Sequence, residues 1–161
     1  VNSLVTTQGP FKNEDERQTF LTTIPIAVPV AETLADAQRS QLALLSAKCQ
    51  ETIYAGFTSS ALGTPYTYPA KDRDQNNLNA SVTASLLPGL LVSWTTPFPC
   101  MDANGVWAHR MHTAAQIQQV GLDAKAAIVT CILKNQSLAQ QVMVVIDISA
   151  AGIAQVKGIV W

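Results

Sequence analysis

Residues 94–119 read WTTPFPCMDANGVWAHRMHTAAQIQQ, and this stretch decides the fold class. Asp102 starts a type I turn that runs through Ala103 and Asn104, and Gly105 takes the left-handed position after it. Residues 94–111 therefore predict a β-hairpin. Thr113 and Gln116 then have the spacing of a capping box, in which each side chain satisfies a backbone N–H at the start of a helix. Along that helix, the longest in the chain, Ile117, Val120, Ala124, Ile128, Cys131, Leu138 and Val142 recur at a spacing between a strict heptad and an ordinary amphipathic helix. The seam is small in its middle and could pair within the chain or between chains. Residues 142–146 read as the helix end or as a short strand, and Ser149 caps a final short helix.

Upstream the same alternation of helix and hairpin is present. Leu34, Gln38, Leu42, Leu45, Cys49 and Ile53 recur at three and four residues and predict a helix. Gly56 stands where a left-handed residue closes a helix, with Phe57 after it as the hydrophobic cap contact. Residues 57–68, FTSSALGTPYTY, are rich in Thr and aromatics around Gly63 and Pro65, which predicts a small hairpin. Asp72 is placed to cap a second helix of about four turns, with Leu78, Val82 and Leu86 as its stripe and Pro88-Gly89 as its end.

The first thirty residues differ. Residues 12–17, KNEDER, hold five of the chain's 21 charges. Residues 20–30, FLTTIPIAVPV, carry Pro25 and Pro29, whose spacing excludes a helix there and favours an extended path. Ile24, Ile26 and Val28 would form one apolar stripe along it. The segment reads either as an edge strand of the body or as an extended N-terminal arm docked on a neighbour. The second reading is preferred and makes Ile24, Pro25, Ile26, Val28 and Pro29 the partner-binding residues.

Composition bounds the function. The chain has 161 residues, 13% charged and 48% apolar, with a net charge of −1. Charged residues are about half as frequent as usual. There is no basic footprint for nucleic acid or for a membrane surface, and a near-neutral surface promotes association. The uncharged run at residues 75–101 is broken by Pro88-Gly89 and laced with Asn, Ser and Thr, so no bilayer span is expected. No signal peptide is expected either. Cys49, Cys100 and Cys131 include no CxxC pair and read as reduced, mostly buried thiols.

Few residues suggest chemistry. His109 and His112, with Cys100 and Asp102 across the turn, are the one cluster with a metal-ligand look, but their placement on a strand end and a helix cap does not follow structural-zinc spacing. No metal site is expected, with His112 before the capping box and His109 half exposed. The four glutamates all lie in the first third of the chain. Asp72 and Asp74 are accounted for as first-turn helix charges. No G-x-S-x-G and no phosphate-cradling glycine loop occur. The aromatics Phe57, Tyr66, Tyr68, Trp94, Phe98 and Trp107 all fall on the hairpins; they could stack on a sugar or base, but core packing is the simpler reading.

With these elements in place, two stretches carry a resemblance: GFTSSALGTPYTYPAKDRDQNNLNASV at residues 56–82 and WTTPFPCMDANGVWAHRMHTAAQIQQVGLDAKAAI at residues 94–128. Together they resemble a domain of unknown function common in tail-fibre and tail-fibre-assembly proteins of tailed bacteriophages. The resemblance covers about residues 36–142, with a loose match near Ile159, Val160 and Trp161; residues 1–30 lie outside it. It implies a phage tail context and transfers no catalytic residue.

The expected protein is mainly α with two small β-hairpins (α+β). It comprises an extended N-terminal arm at residues 1–30 and a helical domain at residues 31–161, with helices side by side and hairpins capping one end. Its expected function is that of a non-enzymatic structural component of a phage tail, at the fibre, baseplate or tip, without catalytic residues, cofactor or metal. The alternative is a tail-fibre assembly chaperone. Its expected partners are other tail proteins and copies of itself, a trimer if fibre symmetry carries over, with no nucleic acid and no membrane. The expected location is the virion tail, reached from the host cytoplasm during assembly.

Overall fold

Thr113 opens the longest helix as the sequence requires. Its hydroxyl accepts the Gln116 N–H at 3.3 Å, and the Gln116 side chain accepts the Thr113 N–H at 2.9 Å. In this computed structural model, which describes residues 13–23 and 31–161, the elements are α1 (Glu14–Thr23), α2 (Leu34–Tyr54), β1 (Phe57–Ser59), β2 (Tyr66–Tyr68), α3 (Asp72–Ser85), β3 (Thr95–Met101), β4 (Trp107–Thr113), α4 (Ala114–Met143) and α5 (Ala150–Lys157). The fold is mainly α with a small antiparallel sheet, an α+β protein.

The chain divides into two units, Val1–Ala31 and Glu32–Trp161. Within the first, the described part of the segment expected as an extended arm is helical, as α1. The charge cluster explains it. The Asn13 side chain accepts the Glu16 N–H at 2.8 Å, and Glu14, Asp15 and Glu16 fill the first turn, where the helix dipole favours negative charge. The helix ends at Thr23, two residues before Pro25, in keeping with the bar on helical geometry just ahead of proline. Ile24, Pro25, Ile26, Val28 and Pro29 lie outside the described residues.

In the second unit the two hairpins are not separate caps. They join into one sheet of order β1-β2-β3-β4, all antiparallel. A single pairing, Thr67↔Met101, bridges them, while Phe57↔Tyr68 and Phe98↔Arg110 set the register within each. Gly56, with φ +99°, turns the chain from α2 into β1 as expected. A Cβ at this position would run into the Tyr68 carbonyl oxygen.

The hydrophobic residues form two cores. One lies under the sheet and holds Phe57, Tyr68, Leu78, Phe98, Ile117 and Val120; the other holds Ala37, Leu45, Val142, Val145 and Val156. Helix α4 supplies both, so the seam proposed from spacing is satisfied within the chain: Ile117, Val120, Ala124 and Val142 are buried. Gln38 belongs to the α2 stripe for a polar reason. Its amide donates to the Val142 and Val145 carbonyls at 3.1 and 3.0 Å, groups freed where α4 ends.

Three details depart from the sequence reading. The N-cap of α3 is Lys71, whose N–H is accepted by Asp74 at 3.1 Å; Asp72 instead accepts the Tyr54 hydroxyl at 2.7 Å. Leu86 is exposed and Ser85 is buried in its place, because the helix ends at Ser85 and the chain turns out of the stripe. Residues 142–146 end the helix and form no strand.

Gly56→Ala should lower stability by about 1–3 kcal/mol, the cost of holding a non-glycine residue in that backbone region, with the carbonyl clash adding to it. Gly63 also has a positive φ, +94°, but meets no atom within 4 Å. Gly63→Ala should therefore cost less. Thermal unfolding of the two variants side by side checks this; equal losses would contradict the close approach to Tyr68.

Candidate functional site

Strand alternation places successive side chains on opposite faces of the sheet. Phe98 and Cys100 of β3, with His112 of β4, turn inward and are buried. The phenyl of Phe57 stacks on Tyr68 at 5.5 Å, Tyr68 on Phe98 at 6.3 Å, and His112 meets the Tyr68 ring edge-on at 5.8 Å.

His112 is the polar centre of this core. Its Nδ1 lies 2.8 Å from the Arg110 carbonyl and its Nε2 lies 2.9 Å from the Tyr68 hydroxyl. A carbonyl oxygen only accepts, so Nδ1 carries the proton and Nε2 accepts from the Tyr68 O–H. Burial pushes the His112 pKa down, and the carbonyl bond opposes this in part. Burial likewise pushes the Tyr68 phenol far above its ordinary value. Both groups are held neutral and each satisfies the other, as a buried polar pair must.

The Arg110 side chain fastens the turn. Its guanidinium donates to the Cys100 carbonyl at 2.7 Å and to Asp102 Oδ2 at 3.0 Å, and lies 4.8 Å over the Tyr66 ring. The other Asp102 oxygen accepts the Asn104 and Val106 N–H groups at 2.9 and 3.0 Å. These contacts, led by the Val106 N–H, hold the Asp102 carboxyl below its ordinary value.

The four residues with a metal-ligand look are thus not brought together. Cys100 and His112 face the core, Asp102 is bound up in the turn, and His109 is exposed. Among the described residues no group of three or more His, Cys, Asp or Glu could hold a metal ion. His112 is more than a residue ahead of the cap; it is a core residue. Cys49 and Cys100 are buried free thiols and Cys131 is half-buried, with burial pushing the Cys49 thiol up. The expected core role holds for Phe57, Tyr68 and Phe98, and Tyr66 and Trp94 pack on its edge. Trp107 departs from it, being 51% exposed on the outer face of the sheet.

The surface carries apolar features as well. A largely apolar groove of about 500 Å³ runs between α3 and α4, floored by Leu78, Val82, Gly121 and Ala124. The helices meet closely there, since a Cβ on Gly121 would lie 2.8 Å from a Val82 methyl. Leu86 and Leu122 form its rim and are both exposed. Leu133, Ile146 and Ile148 are also exposed. These residues, which the sequence reading passed over as sites, are suited to contact with another macromolecule.

The His112 pair generates a pH dependence. The folded pKa lies below the unfolded value, so the unfolded chain takes up the proton first as pH falls. Stability is full above about 6.5, the ordinary histidine value, and declines below it. The melting temperature should fall between pH 7 and pH 5, and His112→Gln should flatten that fall while lowering the baseline. Tyr68→Phe should cost about 1–3 kcal/mol at neutral pH by leaving the imidazole nitrogen unpaired. Wild-type stability that is flat across this window would contradict the assignment.

A family model described as a domain of unknown function (DUF4376) matches residues 36–155. No curated protein and no solved structure matches the chain. The matched span runs from the first turn of α2 into α5, covers the whole sheet and α4, and leaves α1 outside. It takes in about three-quarters of the residues, and the chain belongs to the DUF4376 family.

Proposed function

We propose that this chain is a non-enzymatic structural component of a bacteriophage tail, at the tail fibre, baseplate or tail tip, and that it acts through protein–protein contacts. The tail context comes from the resemblance of residues 56–82 and 94–128 to domains of tail-fibre and tail-fibre-assembly proteins. The observation that carries the structural role is the surface. With only 13% charged residues and a net charge of −1, the body exposes Leu91, Val92, Leu122, Leu133, Ile146 and Ile148. Such a surface is poorly protected against association in solution and suits permanent burial between subunits. In the same reading the titratable groups serve the fold. His112 fills the sheet core, Asp102 holds a turn, and Asp74 caps α3.

Among the described residues no helix is long and apolar enough to cross a membrane. The working location is the virion tail, reached from the host cytoplasm. Residues 1–30 stand outside the family match and supply the attachment, with Ile24, Ile26 and Val28 as the apolar stripe. In an extended conformation Pro25 and Pro29 would both interrupt the same edge, and backbone pairing with a neighbour's sheet would proceed from the other edge.

Quantitative mass spectrometry of purified virions should find this chain in fixed copy number. Its absence from particles that need it to form would favour an assembly chaperone instead. Ile26→Asp combined with Val28→Asp should leave the circular dichroism of the protein unchanged and reduce its incorporation at least tenfold. Normal incorporation of this variant would remove the attachment role from the arm.

A further inference from the structure

The buried seam of α4 has a counterpart on the opposite side of the same helix. Leu122, Ala126, Val129, Leu133 and Met143, with Ala115 before them, fall on one line. Gln119, Gln136 and Gln140 complete it, so that the steps alternate between four and three residues from position 115 to position 143. All but the half-buried Val129 are exposed in the single chain, Leu122 to 66% and Leu133 to 59%. The line carries no charge. Lys134, the one charge in the second half of α4, is turned aside, with its ammonium 4.6 Å over the Trp161 ring. Sustained alternation of fours and threes is the spacing that lets helices wind around one another.

We infer that this face of α4 is the axis of a parallel trimer of the chain, each copy covering the exposed line of the other two. Two observations select the occupant. The first is its composition. Another copy matches α4 along its full length, 30 residues, and presents glutamine where α4 does. In a parallel pair every layer meets itself, and Gln136 and Gln140 face their own kind. An antiparallel pair centred on Val129 would set Leu122 against Gln136 twice, burying an amide on a leucine. The second is area. A helix of this length spans about 45 Å, and one seam about 10 Å wide covers roughly 450 Å² per copy, short of the ~800 Å² per partner that a stable interface needs. A three-helix arrangement gives each α4 two seams, about 900 Å².

The inference deepens the structural reading above by naming one partner, further copies of this chain. It can fail separately, because it is tested in solution without a virion. Sedimentation velocity of the full chain at about 50 μM should give three times the 17.2 kDa chain mass. The Leu122→Glu, Leu133→Glu double variant should sediment as a monomer with unchanged circular dichroism, since both side chains lie on the outside of the folded chain. Gln136→Leu, which removes an amide from the axis, should lower the concentration for half-dissociation at least tenfold. A monomer or a dimer for the wild-type chain, a trimer that survives the double variant, or a Gln136→Leu protein that assembles no better would each overturn the proposal.

Discussion

Everything in the body depends on α4 being one continuous helix. Its first half carries Ile117 and Val120 beneath the sheet, and its last turn carries Val142 into the second core with α2 and α5. Neither core is large, and each leans on the same rod. The ends of that rod are secured by different chemistry. At the start, Thr113 and Gln116 satisfy backbone donors reciprocally; at the finish, Gln38 reaches from α2 to the Val142 and Val145 carbonyls. The second tie is also what fixes α2 in register along α4. A further amide from α2, Gln41, holds the C-terminal segment at the Ile159 carbonyl. Glutamine, abundant in this sequence, is therefore used internally as well, where its amides tie α2 to carbonyls at the ends of α4 and α5.

Local chemistry was legible in the sequence and long-range chemistry was not. The turn at Asp102 and Gly105, the capping box of Thr113 and Gln116, the reversal at Gly56 and the final helix after Ser149 all follow from residues within four positions of one another. The union of the hairpins rests on a single pairing, Thr67↔Met101, which no local pattern announces. His112 could not be recognised as a core residue because its partner Tyr68 is 44 positions away, and the nearby Cys100 and Asp102 drew attention to a metal cluster instead. The α3 cap was misplaced by one residue because Asp72 and Asp74 both suit a first turn; Asp74 takes the capping role and Asp72 receives the Tyr54 hydroxyl. The outer line of α4 was written in the sequence throughout. It was overshadowed by the richer inner seam, and only knowledge of which side the body covers makes it stand out.

The ionisable groups around the sheet make contacts that hold its fold. The buried pair of Tyr68 and His112 is closed on itself, and Arg110 and Asp102 are spent on the turn. Outside the two cores, several apolar features are left open: the groove between α3 and α4, the outer line of α4, and the isoleucines at 146 and 148. Under the proposed reading, a body with this much apolar surface left exposed is one that other subunits surround. Under the proposed reading the arm attaches the chain, α4 multiplies it, and the sheet, with Trp107 on its outer face, remains for contacts with whatever the assembly meets.

Native-state hydrogen exchange along α4 tests the central constraint most directly. If one helix unites both cores, its amides from Ile117 to Leu138 should exchange through a single opening whose free energy matches global unfolding. Protection should show no step between the sheet half and the α2–α5 half. Two plateaus, with a break near Ile128 to Asn135, would mean that the cores open separately and would contradict the account.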